Sequence, residues 1–533
     1  MTIDSFLEHW QLIEHPFRGE EARQDPLLSR MVDASVRAAA ENPMRPSRMP
    51  RHPDYDKIAG EFSRPSTSIV FGEKGSGKTA IRLQMSTSAA AYNAANPSRR
   101  VLLISHDELA PVLQRLHDRV KTVKKGKESP VIDSLKQMRL ADHVDAVMCQ
   151  VVPRLVDSLL EQGGPGQGAG GERIDLGPEP RKGLKKLDKD LKRDILVMQA
   201  TYDRPDSADQ RTRELRRALG VRMPAIVMIE DVMAFAGWIV PLAVFLLSRG
   251  SKAPYNDPIW VTSFSAAMGL WAVALLARAA TERFGVRARA HRLRRQIRVS
   301  PRTEGSYARS IRQVPPAWRP SHLLPSTGSD DVRLAMLSRL VRVIRAYGFE
   351  HAVVLVDRVD EPPLIQGDPE RMRAVVWPLL SNRFLQQEGV AFKMLLPIEL
   401  RHSLMRESAA FFQDARLDKQ STIEALSWSG VALYDLCNQR LNACRPPDAS
   451  PITLQDLFAA DVARDSLLDA LEQVRQPRDA FKLVYQCIYD HCTHTAEDLS
   501  NPGAYLIPKH VLDTAKRAQV ERLRQLAMGV RPA

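Results

Sequence analysis

Apolar positions along the chain fall into three patterns: short unbroken runs, stretches of helical period, and two longer segments with no charge at all. Short apolar runs bounded by turn residues read as strands buried on both faces, because a half-exposed strand would alternate apolar and polar positions. Such runs lie at Ser68–Phe71, Val101–Ser105, Ala352–Val356 and Val390–Leu396, with a fifth expected at Thr422–Leu426. Helical period marks Leu109–Val120 and His143–Leu160, and a helical stretch, Pro369–Gln387, separates the third and fourth runs. Strands alternating with helices build βαβ units, so the pattern predicts an α/β fold with a parallel sheet. Leu436–Ala443, Leu454–Val474 and Val511–Met528 read as a helical tail with polar faces, suited to a lid or an interaction surface.

The two uncharged segments are Val232–Ser248 and Pro258–Ala277. Each is close to the length that crosses a bilayer core as a helix, roughly 17–25 residues. The short polar link between them suits a turn between antiparallel helices, so the pair is expected to form a transmembrane hairpin. Arginines 278, 283, 287, 289, 292, 294, 295, 298 and 302 follow, against one acid, Glu282. That run holds most of the formal net charge of +13. Basic residues also precede the hairpin, from Arg211 to Arg222, and the link holds only Arg249 and Lys252. The bias places both termini in the cytoplasm, in a multi-pass protein of the cell inner membrane. The arginine run then faces anionic lipid headgroups, and this position accounts for the charge without nucleic acid as a partner.

Candidate chemistry begins where the first strand ends. Gly72–Thr79 reads Gly72-Glu73-Lys74-Gly75-Ser76-Gly77-Lys78-Thr79, which matches G-x-x-x-x-G-K-[ST] between a strand and a helix. The glycines allow the backbone to wrap an anion so that N–H groups point at phosphate oxygens. Lys78 reaches the terminal phosphates and the Thr79 hydroxyl holds Mg²⁺. The helix that follows adds its positive dipole end. The eight residues are therefore the expected binding loop for a nucleoside triphosphate. ATP is the default, since no N/T-K-x-D pattern marks guanine selectivity.

Such a site needs an acid at the mouth of a second strand to hold Mg²⁺, and Asp357, after Ala352–Val356, is the candidate. About 280 residues separate Lys78 from Asp357, several times what one crossover needs. The interval holds a glycine-rich linker (Gln162–Gly171), a basic helical stretch (Arg181–Gly220), the hairpin and a proline-punctuated return (Val314–Ser326). The expected division is an N-terminal helical segment (1–61), a first core part (62–161), an insertion (162–331), a second core part (332–430) and a helical lid (431–533).

A P-loop domain with membrane helices between its two nucleotide motifs resembles the KAP-type P-loop NTPases, relatives of the AAA+ and STAND ATPases. The resemblance implies a three-layer P-loop fold, a C-terminal helical lid, homo-oligomer formation and a switch or scaffold role, in bacterial defence among others. The family's second motif reads D-D-x-D-R after its strand. Here Asp357-Arg358-Val359-Asp360-Glu361 keeps the first acid and Asp360 but carries Arg358 and Glu361 at the other positions. The lid segment Val474–His491 resembles the AAA+ lid, where a Pro-Arg pair sets an arginine near the γ-phosphate, here Arg478. In AAA+ ATPases a glutamate directly after the Mg²⁺ aspartate activates water. Arg358 cannot act as a base at neutral pH, so Asp360 or Glu361 is expected to serve, with slow hydrolysis. Arg383 is a weaker candidate for a finger acting on a neighbouring subunit.

Composition adds limits. Cys149, Cys437, Cys444, Cys487 and Cys492 fit no common zinc spacing and read as reduced thiols. The N-terminus carries acids early and lacks the apolar core of a signal peptide. The expected function is a membrane-anchored ATPase switch. The alternatives are a DNA-directed AAA+-like ATPase and a scaffold that binds nucleotide without hydrolysing it.

Overall fold

The computed structural model describes residues 1–18, 25, 27, 28, 30, 31, 51–123, 131–161, 173–250, 258–320, 322–446, 448–496 and 502–527. The glycine-rich linker and the link between the two apolar segments lie outside them.

Five strands, β1 (Ser68–Gly72), β2 (Arg100–His106), β3 (Phe349–Val356), β4 (Val390–Pro397) and β5 (Ser421–Ile423), form one sheet in the order β2-β3-β4-β1-β5. Every pairing is parallel. Alternate side chains enter separate cores, as a strand's period of two requires. Ile69 and Phe71 of β1 pack on one face with Val354, Val356, Phe392 and Met394. Val70 packs on the other with Val353, Leu355 and Leu395. Burial on both faces is why these strands lack alternation in sequence.

The second core is closed by the Lys78–Ala95 helix through Ile81, Met85 and Ala89. The first is deeper, and it includes side chains of the Ala110–Val123 and Leu140–Leu160 helices and of the Asp330–Arg345 helix. Leu196, Met198, Leu215, Leu293 and Tyr307, all from the interval expected to be an insertion, belong to the same cluster. That part of the interval therefore shares the core of the sheet.

Two expected elements differ. The Pro369–Gln387 stretch is broken into the Pro369–Val376 helix, a 3-10 turn at Trp377–Leu379 and the short Asn382–Leu385 helix. Pro378 lacks an N–H and crowds the preceding turn, so a helix cannot run through it. β5 stops at Ile423 rather than at Leu426, although the Leu426 amide still donates to the Phe71 carbonyl at 2.8 Å.

The C-terminal helices Gly430–Ala443, Arg464–Val474, Pro477–His494 and Lys509–Ala527 surround a third cluster that also takes in Phe6, Leu7, Leu12, Phe17, Leu27 and Met31. The N-terminal segment thus packs within the C-terminal helical group. The Arg440 guanidinium reaches the Asp25 carboxylate at 2.6 Å and the Pro16 carbonyl at 2.8 Å.

Two segments, Val232–Arg249 and Pro258–Gln296, are helical, long and apolar enough to span a membrane. The first differs from a single rod: Ala225–Ala236 ends at Gly237, and a new helix runs Ile239–Gly250. A Cβ at Gly237 would lie 2.8 Å from Trp271 Cδ1, and the Trp271 indole donates to the Ala234 carbonyl at 3.2 Å. Glycine at 237 therefore leaves room for the Trp271 ring of the second segment. The second segment continues without interruption from Pro258–Ala280 through a π turn into Ala288–Gln296. Phe235, Leu246, Leu247, Val261, Leu270, Val273 and Leu276 are exposed.

Not all of the arginine run faces outward. Arg302 is fully buried and donates to the Ala200 carbonyl at 2.6 Å and the Ser310 hydroxyl at 2.6 Å. Arg298 reaches the Asp142 carboxylate at 3.0 Å. These two were expected at lipid headgroups, but their side chains serve the helical body instead. The reason is position: both lie beyond the Ala288–Gln296 helix, where the chain turns back onto the protein.

Candidate functional site

In an all-parallel sheet every strand presents its C-terminal end to the same edge, so residues far apart in sequence meet there. Gly72 ends β1, Asp357 follows β3 directly, and Asp107 follows β2. Thr79 Oγ1 lies 3.5 Å from Asp357 Oδ2, across 278 residues of sequence.

The Gly72–Thr79 loop needs its glycines for stated reasons. Gly75 and Gly77 adopt φ of +100° and +95°, a region that strains any residue with a Cβ. A Cβ at Gly72 would sit 2.5 Å from Ser76 Oγ, and one at Gly75 would meet Arg478 Cβ at 3.0 Å. Gly77 caps the helix, and the first turn of N–H groups after it has no partner within the helix. Lys78 Nζ donates to the carbonyls of Gly72 at 2.6 Å and Glu73 at 2.9 Å. Burial pulls the Lys78 ammonium below its ordinary value, while Asp360, Asp357, Glu399 and Glu73 pull the other way.

Asp357 is buried. Desolvation pushes its carboxyl up to about 6, against the pull of Arg82, the Arg358 amide and Lys78. Arg82 Nε lies 3.5 Å from Asp357 Oδ2, and its guanidinium also pairs with Asp107. Arg358 takes a left-handed φ of +60°, donates its amide to Asp357 Oδ1 at 2.9 Å and turns its guanidinium to Glu361 at 2.6 Å. Glu361 is therefore engaged by Arg358. Asp360 makes no ion pair among the described residues.

One cavity joins these groups. Lys74, Lys78, Thr79, Asp357, Asp360 and Arg478 all line it, together with Gly75, Gly77, Arg358 and Glu361. The sequence-assigned residues thus converge, save Glu73, whose side chain pairs with Gln476 just before the Pro477–His494 helix, and Gly72 and Ser76, which do not line the cavity. Arg383 is elsewhere, paired with Asp331 at 2.6 Å on the surface.

Sequence reasoning missed Arg82, Trp428 and His52. Arg82 lies one helical turn after Lys78 and so shares its face, a signal present in the spacing. Trp428 reads as core in sequence, yet its indole donates to the Ser76 carbonyl at 2.8 Å and braces the loop. Nothing in the sequence marks His52.

The residues fit a phosphate-bearing ligand with a divalent cation. A left-handed glycine loop, a helix N-terminus and the Lys78 ammonium could meet an anion, and the Thr79 hydroxyl with the Asp357 carboxylate could offer oxygen to a metal. Among the described residues no group of three or more His, Cys, Asp or Glu side chains could form a protein-only metal cage. Mg²⁺ bound with phosphates needs only one or two carboxylates. No family model, curated protein or solved structure matches the chain. The functional reading therefore rests on the site.

Proposed function

We propose that the chain is a membrane-anchored P-loop ATPase of the additional-strand group, working as a nucleotide-driven switch. The observation that carries this reading is the approach of Thr79 to Asp357 at 3.5 Å, at the end of a loop whose glycines are conformationally required. The strand order supports it, since β4 lies between β1 and β3 as an additional strand would.

In this reading the loop amides and Lys78 hold the β- and γ-phosphates of ATP, and Thr79 and Asp357 hold Mg²⁺. The cation would neutralise charge on the transferring phosphoryl group. Asp360, at the same cavity and without an ion partner among the described residues, orients the attacking water. Arg478 starts the Pro477–His494 helix directly against Gly75 and senses the terminal phosphate. The lid moves with the γ-phosphate state, and the continuous Pro258–Gln296 segment links the protein body to the hairpin. The hairpin sits in the inner membrane with both termini cytoplasmic, and the protein acts as a homo-oligomer.

A scaffold that binds nucleotide without turnover is favoured by one observation, the Arg358–Glu361 pair. Mg²⁺-ATP turnover of the membrane-reconstituted protein, measured beside Lys78→Ala, tests both. Turnover lost at least tenfold in Lys78→Ala is expected. Tight ATP binding with no turnover in either protein selects the scaffold, and absence of Lys78-dependent binding ends the nucleotide reading.

A further inference from the structure

Behind the cavity, two acids share one arginine. Asp107 directly follows β2 and Asp357 directly follows β3. The parallel register pairs His106 with Val356, so the two acids stand on neighbouring strands at the same edge of the sheet. Arg82 reaches both from the Lys78–Ala95 helix. It is only 8% exposed. Its Nη1 donates to Asp107 Oδ2, whereas Nε lies 3.5 Å from Asp357 Oδ2 and makes no hydrogen bond among the described residues. The arginine is thus committed to Asp107 and only poised toward Asp357.

The oxygen it is poised toward matters. Asp357 Oδ2 is also the atom that lies 3.5 Å from Thr79 Oγ1. Asp357 lines the cavity, but Arg82 and Asp107 do not, so the pair reaches the site only through Asp357. Two carboxylates against one guanidinium leave one negative charge for an incoming cation. Without the Asp107 charge none is left. A buried guanidinium that loses its partner is strongly unfavourable, and Asp357 is the acid beside it. A charge-assisted hydrogen bond would then take up Oδ2.

We propose that Asp107 is a positioning residue that keeps Asp357 open to a divalent cation by holding Arg82 to itself. This inference rests on the nucleotide reading of the Gly72–Thr79 loop and gives a use to an acid which that reading leaves out. Groups placed behind a metal ligand typically change metal affinity by about 10–100-fold.

The test is the gain in affinity for a non-hydrolysable ATP analogue when Mg²⁺ replaces EDTA, measured by calorimetry on the full chain in detergent. Asp107→Asn keeps the side chain's shape but releases Arg82, and it is expected to cut the gain about tenfold. Binding in EDTA, which needs only the loop and Lys78, is retained and reports that this variant is folded. Arg82→Gln removes both the competitor and a positive charge near the metal, so it is expected to raise the gain. The double variant Arg82→Gln/Asp107→Asn has neither partner and is expected to recover most of the wild-type gain. A purely structural ion pair cannot give opposite signs from its two halves. Loss of the gain in both single variants, or loss of binding by Asp107→Asn in both conditions, makes the pair structural and overturns the proposal. An unchanged gain in Asp107→Asn overturns it as well. A double variant as poor as Asp107→Asn also overturns it, because Asp107 would then act on the metal itself. If wild type binds the analogue no better than Lys78→Ala in either condition, the nucleotide reading fails and this inference with it.

Discussion

Arg358 directly follows Asp357, where the proposed hydrolysis would be helped by an acid, and its geometry shows how the chain accommodates it. The left-handed φ of +60° turns the side chain away from Asp357 and onto Glu361. An ion pair at 2.6 Å leaves Glu361 an acceptor already in use, whereas Asp360 lines the same cavity unpaired among the described residues. Asp360→Asn is therefore expected to lower turnover roughly a hundredfold, the scale of a lost general base, with ATP affinity unchanged within a few-fold. Glu361→Gln is expected to retain most of the turnover. The reverse ranking in steady-state kinetics would assign the role to Glu361 and recast Arg358 as its holder.

At the level of elements, the end of β2 and the Leu140–Leu160 helix meet through two buried imidazoles, His106 and His143, with ring centroids 5.8 Å apart. The Gln150 side chain is the polar group that faces the His106 ring and favours its charged form. Burial, reinforced by His143, pushes the His106 ring down to about 3. Between pH 6.5 and that value the unfolded chain takes up a proton that the folded chain refuses. Stability from this group is thus present above pH 6.5 and lost as the pH falls. His106→Leu removes a buried polar ring that is poorly compensated by Gln150, and with it the titration. Denaturant unfolding should show a gain of about 1 kcal/mol at pH 7.5, growing at pH 5. A variant that is less stable at both pH values would mean that His106 bonds a group the fold requires.

For the whole molecule, the exposed apolar residues of the two long helices demand a covering. Leu246 and Leu270 are 59% exposed each, far from the arrangement of a soluble core helix. In the membrane reading, an arginine near mid-span costs roughly 2.5–3.5 kcal/mol per residue. Val240 and Leu270 stand near the middle of the Val232–Arg249 and Pro258–Ala280 stretches, and both are exposed. Wild type is expected to resist alkaline carbonate extraction, and the double variant Val240→Arg/Leu270→Arg to shift measurably into the soluble fraction. Extraction of wild type itself would show that protein, not lipid, covers this surface.

The strands, the Gly72–Thr79 turn and the apolar segments were legible in sequence because each depends on local chemistry: two-sided burial makes an unbroken apolar run, and a tight turn through positive φ needs glycines close together. Asp357 was legible as an acid at a strand end, but its meeting with Thr79 depends on parallel pairing across the sheet. The sequence could not place the 162–331 interval, because sharing one core with the sheet is a matter of packing between distant side chains such as Leu196, Leu293 and Phe392. It could not place the N-terminal segment among the C-terminal helices for the same reason. His52 and Trp428 carry no local pattern: their roles arise from what surrounds them. Local periodicity and backbone geometry were determined by the sequence alone; which distant residues share a cavity, and which side chains brace its loop, was decided only by the tertiary fold.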